Sequence, residues 1–397
     1  MDGQTWVRAP IGMGAAERVT VAGCRPVLVM VPTMTAGTRL AEVVPLVEAD
    51  HRIQPVYTVP GSTERWHGLE EYVRSLGAMV LPWEQAKRES YDLVLTASHR
   101  EIEQVRGKVM VLSHGVGNAK SRRYSRKAGG ATRGTTGLDR EVLTYRGRVI
   151  PAALMLSHDK ELALLRKRCP EAHGAAVVAG DICLDRMVAS RRYREGYRMA
   201  LGVSEDECLV TISSTWGPES TFGQHLELYQ RLSAQGCRVV AQLHPNIVAA
   251  HGSGAVLGWL GDSIRAGLRV LPPDRGWQAA VIASDVVIGD HGSCTMYAAA
   301  SGTPTVVATE PPALWPGSPA DVLVRNAPRL DHGRELWSQL RKVMAEHEGP
   351  DVELATAITA RPGQAAAITR STMYRLLGLP EPARALPANV VPVPWTS

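Results

Sequence analysis

Aromatic residues are scarce in this 397-residue chain, at 5% of the total with a single phenylalanine, Phe222. Any core must then be filled by Val, Leu, Ile and Ala, which suits buried parallel strands and argues against an all-β sandwich. The six cysteines (Cys24, Cys169, Cys183, Cys208, Cys237, Cys294) are scattered, with no C-x-x-C pair and no histidine at zinc-cage spacing. Reduced thiols in a cytoplasm are therefore expected. No apolar run reaches the ~18 residues of a membrane span, and no apolar stretch follows basic residues near the start. Neither export nor a transmembrane segment is expected. A net charge of +5 is small for this length and does not call for a nucleic-acid partner.

What is present points to packed interiors: 45% of residues are hydrophobic, 21% are charged and the mean hydropathy is -0.09. A single core tends to stop growing below about 250–300 residues, so two domains are expected. After a polar lead, Pro26-Val27-Leu28-Val29-Met30-Val31 reads as a strand, and residues 37–48 read as a helix. Further apolar runs at 52–59, 78–81, 92–95 and 108–112 continue a β-α-β alternation, the pattern of a mostly parallel, doubly wound sheet. Residues 154–168 look helical, with Asp159 and Glu161 near one end and Arg166, Lys167 and Arg168 near the other, as the helix dipole favours. The second half is read as starting at the run from Ala175 to Gly180. Its strands are expected at 208–212, 237–243, 268–271, 285–288 and 304–307, with no short-period repeat.

This gives a Rossmann-like domain at 1–170, a second at 171–363, a terminal helix at 364–378 returning to the first, and a Pro-rich tail at 379–397. The tail reads as a surface strap or a partly disordered end. Residues 335–346 read as a surface helix.

Ligands of doubly wound sheets bind beyond the carboxyl ends of the strands, so polar residues that follow apolar runs are the candidates. Four places qualify: His114-Gly115, Ser213-Ser214-Thr215, His244-Pro245 and Asp290-His291-Gly292-Ser293. The last, followed by Cys294-Thr295 and a helical Met296-Tyr297-Ala298-Ala299-Ala300, places hydroxyls and backbone N–H groups at a helix start, where phosphate binds well. Ser293 or Thr295 as a plain N-cap is the blander reading. His114 and His244 follow strands in different halves, so two domains meeting face to face would bring both into one cleft as a general base and a phosphate-polarising group. Either also reads as a hydrogen-bonded structural histidine. His291 is a third candidate for substrate contact.

From Lys120 to Arg133 the chain carries Lys120, Arg122, Arg123, Arg126, Lys127 and Arg133 with no acid. The readings are a solvated loop, or capture of a phosphorylated acceptor, a nucleotide phosphate or an anionic membrane surface. Nucleic acid is not expected, because only Tyr124 interleaves as a stacking residue. No metal motif is evident, so metal-independent chemistry without a cofactor is expected, with Mg²⁺ on a diphosphate as the open alternative.

In chain order these residues resemble the CDP-glycerol glycerophosphotransferases of teichoic-acid polymer synthesis and, more broadly, the GT-B glycosyltransferase superfamily. The resemblance lies in Ser113-His114-Gly115, Gly180-Asp181-Ile182-Cys183-Leu184-Asp185, Ser214-Thr215-Trp216-Gly217, His244-Pro245, and Asp290-His291-Gly292-Ser293 with Gly302-Thr303-Pro304. It implies two Rossmann-type domains facing across a cleft, an acceptor domain followed by a nucleotide-donor domain. His114 would be the base on an acceptor hydroxyl and His244 would contact a donor phosphate. Asp290, His291, Gly292, Ser293, Thr295, Ser214, Thr215 and Pro245 would bind the donor; Lys120, Arg122 and Arg123 would bind the acceptor or its phosphate. The implied reaction is attack on the glycerol-bearing phosphorus with loss of CMP, in a cytoplasmic enzyme that is peripheral to the inner membrane face in one reading. The chain departs from the family pattern at Val116, Gly117, Ser214, Gly217, His291 and Gly292. A glycosyltransferase or epimerase-like enzyme using an NDP-sugar, and a non-catalytic nucleotide-binding protein, therefore stay open.

Overall fold

Val, Leu and Ile crowd the apolar runs, and such residues suit strands buried on both faces. The computed structural model describes residues 6–12, 14–17, 19–61, 66–117, 136–233, 237–311, 314–383 and 390–394. The first half supplies β1 (Arg25–Met30), β2 (Ile53–Thr58), β3 (Val80–Leu81), β4 (Ser90–Thr96) and β5 (Arg106–Val111). A small hairpin of β6 (Thr144–Tyr145) and β7 (Arg148–Val149) follows, then β8 (Pro151–Leu156) and β9 (Ala176–Val178). Seven of these form one parallel sheet in the order β3-β2-β1-β4-β5-β8-β9. Alternation sends Val27, Val29 and Val31 into one apolar cluster and Leu28 and Met30 into the other, so both faces of β1 are covered.

The second sheet holds β10 (Leu209–Ser214), β11 (Arg238–Leu243), β12 (Arg269–Val270), β13 (Val286–Gly289) and β14 (Thr305–Val307), all parallel, in the order β12-β11-β10-β13-β14. Val210, Ile212, Val239, Ala241, Val286 and Ile288 fill one face of it. In each sheet the chain winds outward from the first strand in one direction and then in the other. That doubly wound order creates a switch point between β1 and β4, and another between β10 and β13.

The described residues form two compact units: those up to 117 with 136–182 and 360–383, and those of 183–359 with 390–394. The first unit thus runs past the boundary expected at residue 170. The run at 175–180, expected to open the second half, is instead β9, paired through Leu156↔Val178 to the first sheet. The segment 154–168, expected to be helical throughout, ends β8 before its helix, Asp159–Arg168, begins.

The terminal helix Ala365–Leu377 belongs to the first unit and buries Ala365, Met373, Tyr374 and Leu377 in its core. Tyr374 donates its hydroxyl to Asp50 Oδ2 at 2.9 Å, and the Arg52 guanidinium holds that carboxyl far below the usual carboxylate range. Residues 390–394 strap the second unit: Tyr197 donates to the Val391 carbonyl at 2.7 Å, and the Val391 N–H donates to Ser190 Oγ at 2.8 Å. Among the described residues, no helix is long and apolar enough to cross a membrane.

Candidate functional site

At the switch point of the second sheet, β13 ends in Gly289 and the chain turns through Asp290, His291 and Gly292 into the helix Ser293–Ser301. Asp290 is fully buried. Its Oδ2 accepts the N–H groups of Thr215 at 2.9 Å and Thr221 at 3.0 Å, and its Oδ1 accepts the Gly292 N–H at 2.9 Å. One carboxylate therefore ties three segments together: the loop leaving β10, the start of the short helix Thr221–Gln224, and its own turn. Burial pushes this carboxyl up from the ordinary aspartate range, opposed by the charge of His291 and by the three N–H groups.

These bonds change the part Asp290 plays. Expected as a direct donor contact, it is buried with both oxygens engaged, so it positions the loops from beneath. Ser214, also expected to contact the donor, is buried; its hydroxyl donates to the Thr215 carbonyl and accepts the Phe222 N–H. Thr295 is fully buried and packs over Gly289, where an added Cβ would run into Thr295 Oγ1. Pro245 is buried as the first residue of its helix, where a missing N–H costs nothing. The N-cap of Ser293–Ser301 is Gly292, not Ser293 or Thr295.

What reaches the surface is Thr215, His291, Gly292 and Ser293, each partly exposed. The first N–H groups of a helix have no acceptor inside it, and its dipole favours an anion there. Gly292 is required: a Cβ there would lie 2.9 Å from Asp290 Oδ1 and 3.2 Å from Thr215 Cβ.

His244 follows β11 and caps the helix Pro245–His251. Its Nδ1 accepts the Asn246 N–H at 3.1 Å, and its backbone N–H reaches the Ser214 carbonyl at 3.0 Å. A nitrogen that accepts carries no proton, so the neutral ring is the Nε2–H tautomer, a donor. The Trp216 ring stands 6.3 Å away, tilted by 34°. The second sheet thus brings His244 and the Asp290 to Ser293 turn to the carboxyl ends of β11 and β13, the two strands that flank β10.

In the first unit, His114 lies exposed beyond β5, and its Nδ1 stands 3.2 Å from the Ala97 carbonyl beyond β4. A carbonyl only accepts, so Nδ1 holds the proton and Nε2 keeps its lone pair. The two histidines are therefore in opposite tautomers, with a lone pair at Nε2 of His114 and a proton at Nε2 of His244. Ser113 shapes the His114 turn, its hydroxyl lying 2.9 Å from the Gly115 carbonyl and 3.0 Å from that of Gly117.

Two further histidines at strand ends in this unit escaped the sequence reading. His99 follows β4; its Nε2 is buried without a hydrogen-bond partner among the described residues, and burial pushes its pKa down to about 4. His158 follows β8 and caps Asp159–Arg168, its Nδ1 accepting the Lys160 N–H at 2.9 Å, the same device as His244. The signal was present in both cases: a Ser-His pair, Ser98-His99 and Ser157-His158, closes an apolar run as Ser113-His114 does. Lys120, Arg122 and Arg123 lie outside the described residues.

No family model and no curated protein match the sequence. Solved structures do match. A structure of the wall teichoic acid polymerase TagF is similar with a TM-score of 0.57 at 11% identity, covering 90% of each chain. A TagF structure soaked with CDPG gives 0.54 at 11% identity, again over 90% of each. HepE from Anabaena in complex with UDP gives 0.46 at 13% identity, over 89% of this chain and 100% of that one. With two doubly wound parallel sheets and the TagF likeness over nine-tenths of its length, the chain has a GT-B fold.

Proposed function

We propose that the protein is a group transferase that holds the phosphates of a nucleotide-activated donor at the switch point of its second unit. The observation that carries this reading is the Asp290 clamp, which ties three segments so that the Thr215 and Ser293 side chains and the start of the helix Ser293–Ser301 stand at the place where doubly wound sheets take their ligands. His244, as an Nε2–H donor, suits a phosphate oxygen, and His114, with an Nε2 lone pair, suits removal of a hydroxyl proton. Lys120, Arg122 and Arg123 are assigned to an anionic acceptor or an anionic membrane surface on their charge alone.

The finer reading is transfer of a glycerophosphate-like or other phosphoalcohol group. The acceptor oxygen bonds to the phosphorus that bears the alcohol, the bond from that phosphorus to the bridging oxygen breaks, CMP leaves, and the acceptor proton passes to His114. The order of the sequence motifs favours it, as does the likeness to TagF, one of whose structures was soaked with CDPG. A glycosyl transfer from an NDP-sugar is the second reading, favoured by Gly217, His291 and Gly292, where the chain departs from the phosphotransferase pattern.

The released nucleotide separates them. With CDP-alcohols and hydroxyl acceptors, CMP should appear, and His114→Gln should slow its release by about 10²–10⁴-fold. Release of a nucleoside diphosphate from an NDP-sugar would establish the second reading. Nucleotide binding without turnover, unchanged by His114→Gln, would mean a binding protein and would sink both.

A further inference from the structure

We propose that His225, Glu227 and His332 form a binding site for a divalent transition-metal cation, with zinc as the fitting ion. The three residues lie in the second unit, and one ligand atom from each falls within 4.8 Å of the others. The inference is independent of the transferase reading.

The strongest support comes from His332. Its Nε2 stands 2.7 Å from the Ala308 carbonyl, so that nitrogen carries the proton and Nδ1 keeps the lone pair. Nδ1 is buried and has no hydrogen-bond partner among the described residues. A buried lone pair with nothing to accept is costly, and a metal-ligating imidazole characteristically donates its other N–H to a backbone carbonyl or carboxylate. His332 has that arrangement, with Nε2 bonded to a backbone carbonyl.

His225 faces it, the two rings stacked with centroids 3.7 Å apart and planes 16° from parallel. Glu227 brings an oxygen to 3.4 Å from His225 Nδ1 and is exposed enough to change rotamer. Tetrahedral zinc with bonds of about 2.1 Å sets neighbouring ligand atoms roughly 3.4 Å apart. The longest separation here then closes by at most about 1.4 Å, within the reach of a carboxylate rotation and a turn of one ring.

Both histidines are held by backbone that other bonds fix. The His225 N–H bonds the Thr221 carbonyl at 2.9 Å, and Thr221 is itself tied to Asp290. On the other side, Leu330 N–H bonds the Val307 carbonyl at 2.9 Å, Ala308 N–H bonds that of Gly289 at 2.7 Å, and Arg231 reaches the His332 carbonyl at 3.5 Å. The ligands therefore stand on scaffold at the carboxyl ends of β13 and β14. Two imidazoles and one carboxylate suit zinc; calcium and magnesium prefer all-oxygen shells. Three protein ligands leave a fourth position for water or another oxygen donor.

The test uses the full chain, stripped with a chelator and titrated at neutral pH with zinc alone by calorimetry and equilibrium dialysis, and with Co²⁺ followed by its visible absorption. One equivalent per chain should bind, weakened by about tenfold or more in Glu227→Gln and further in His332→Ala. If His332→Ala does not fold, Glu227→Gln, at an exposed position, decides. No binding below millimolar zinc, or one-equivalent binding of unchanged affinity in Glu227→Gln, overturns the proposal.

Discussion

His99 gives the sharpest stability prediction. Its imidazole titrates at about 4 in the fold against 6.5 for an ordinary histidine, because burial strips water from the charged form. Between those values the unfolded chain binds a proton that the folded chain refuses, so stability rises with pH there. The contribution is fully present above 6.5 and lost as pH falls toward 4. Roughly 1.4 kcal/mol per pH unit over that gap amounts to about 3 kcal/mol, of which about 2 kcal/mol is gone by pH 5. Denaturant unfolding at pH 7 and pH 5 should show the wild type losing about 2 kcal/mol more than His99→Gln, since other titrating groups are common to both. Hydrogen exchange of the β4 and β5 amides reads this loss within the first unit alone. An equal loss in both proteins, or an imidazole resonance for His99 that titrates near 6.5, would refute the reasoning.

Asp290→Asn puts an amide N–H₂ against at least one of the three N–H groups that the carboxylate accepts, and should cost about 2–4 kcal/mol of stability by thermal unfolding; a change below ~0.5 kcal/mol would contradict the clamp. Gly292→Ala forces a Cβ against Asp290 Oδ1 and Thr215, and should cost about 1–3 kcal/mol and diminish stabilisation by nucleotides in the same assay. Tyr374→Phe deletes the hydroxyl that bonds the Asp50 carboxylate and should destabilise the first unit by about 1.5–3 kcal/mol in urea, showing that the terminal helix is docked there.

Strands were legible where apolar runs were bounded by turns, because a buried parallel strand needs little beyond such a run. Which sheet a short run joins was not: Ala176–Val178 carries no mark that it pairs with β8. Residues 154–156 are strand although their sequence suits a helix equally, because a continuous apolar run lacks the period that separates the two. The positions of His114, His244 and Asp290 at strand ends were legible; their burial and bonding were not. Asp290 and Ser293 look alike as polar residues after a strand, yet one is clamped under the loop and the other reaches its surface. His225 and His332 stand in distant segments, and only the winding of the second sheet brings them together.

The central claim is that the second unit holds a nucleotide-activated donor, and a thermal-shift panel of CDP, UDP, GDP and dTDP derivatives tests it most directly. A true ligand at 100 times its Kd stabilises the folded state by about 2.7 kcal/mol. The account predicts that at least one derivative raises the melting temperature of the wild type and that His244→Gln and Gly292→Ala blunt the rise. No shift with any nucleotide, or a shift that both variants leave intact, would contradict it.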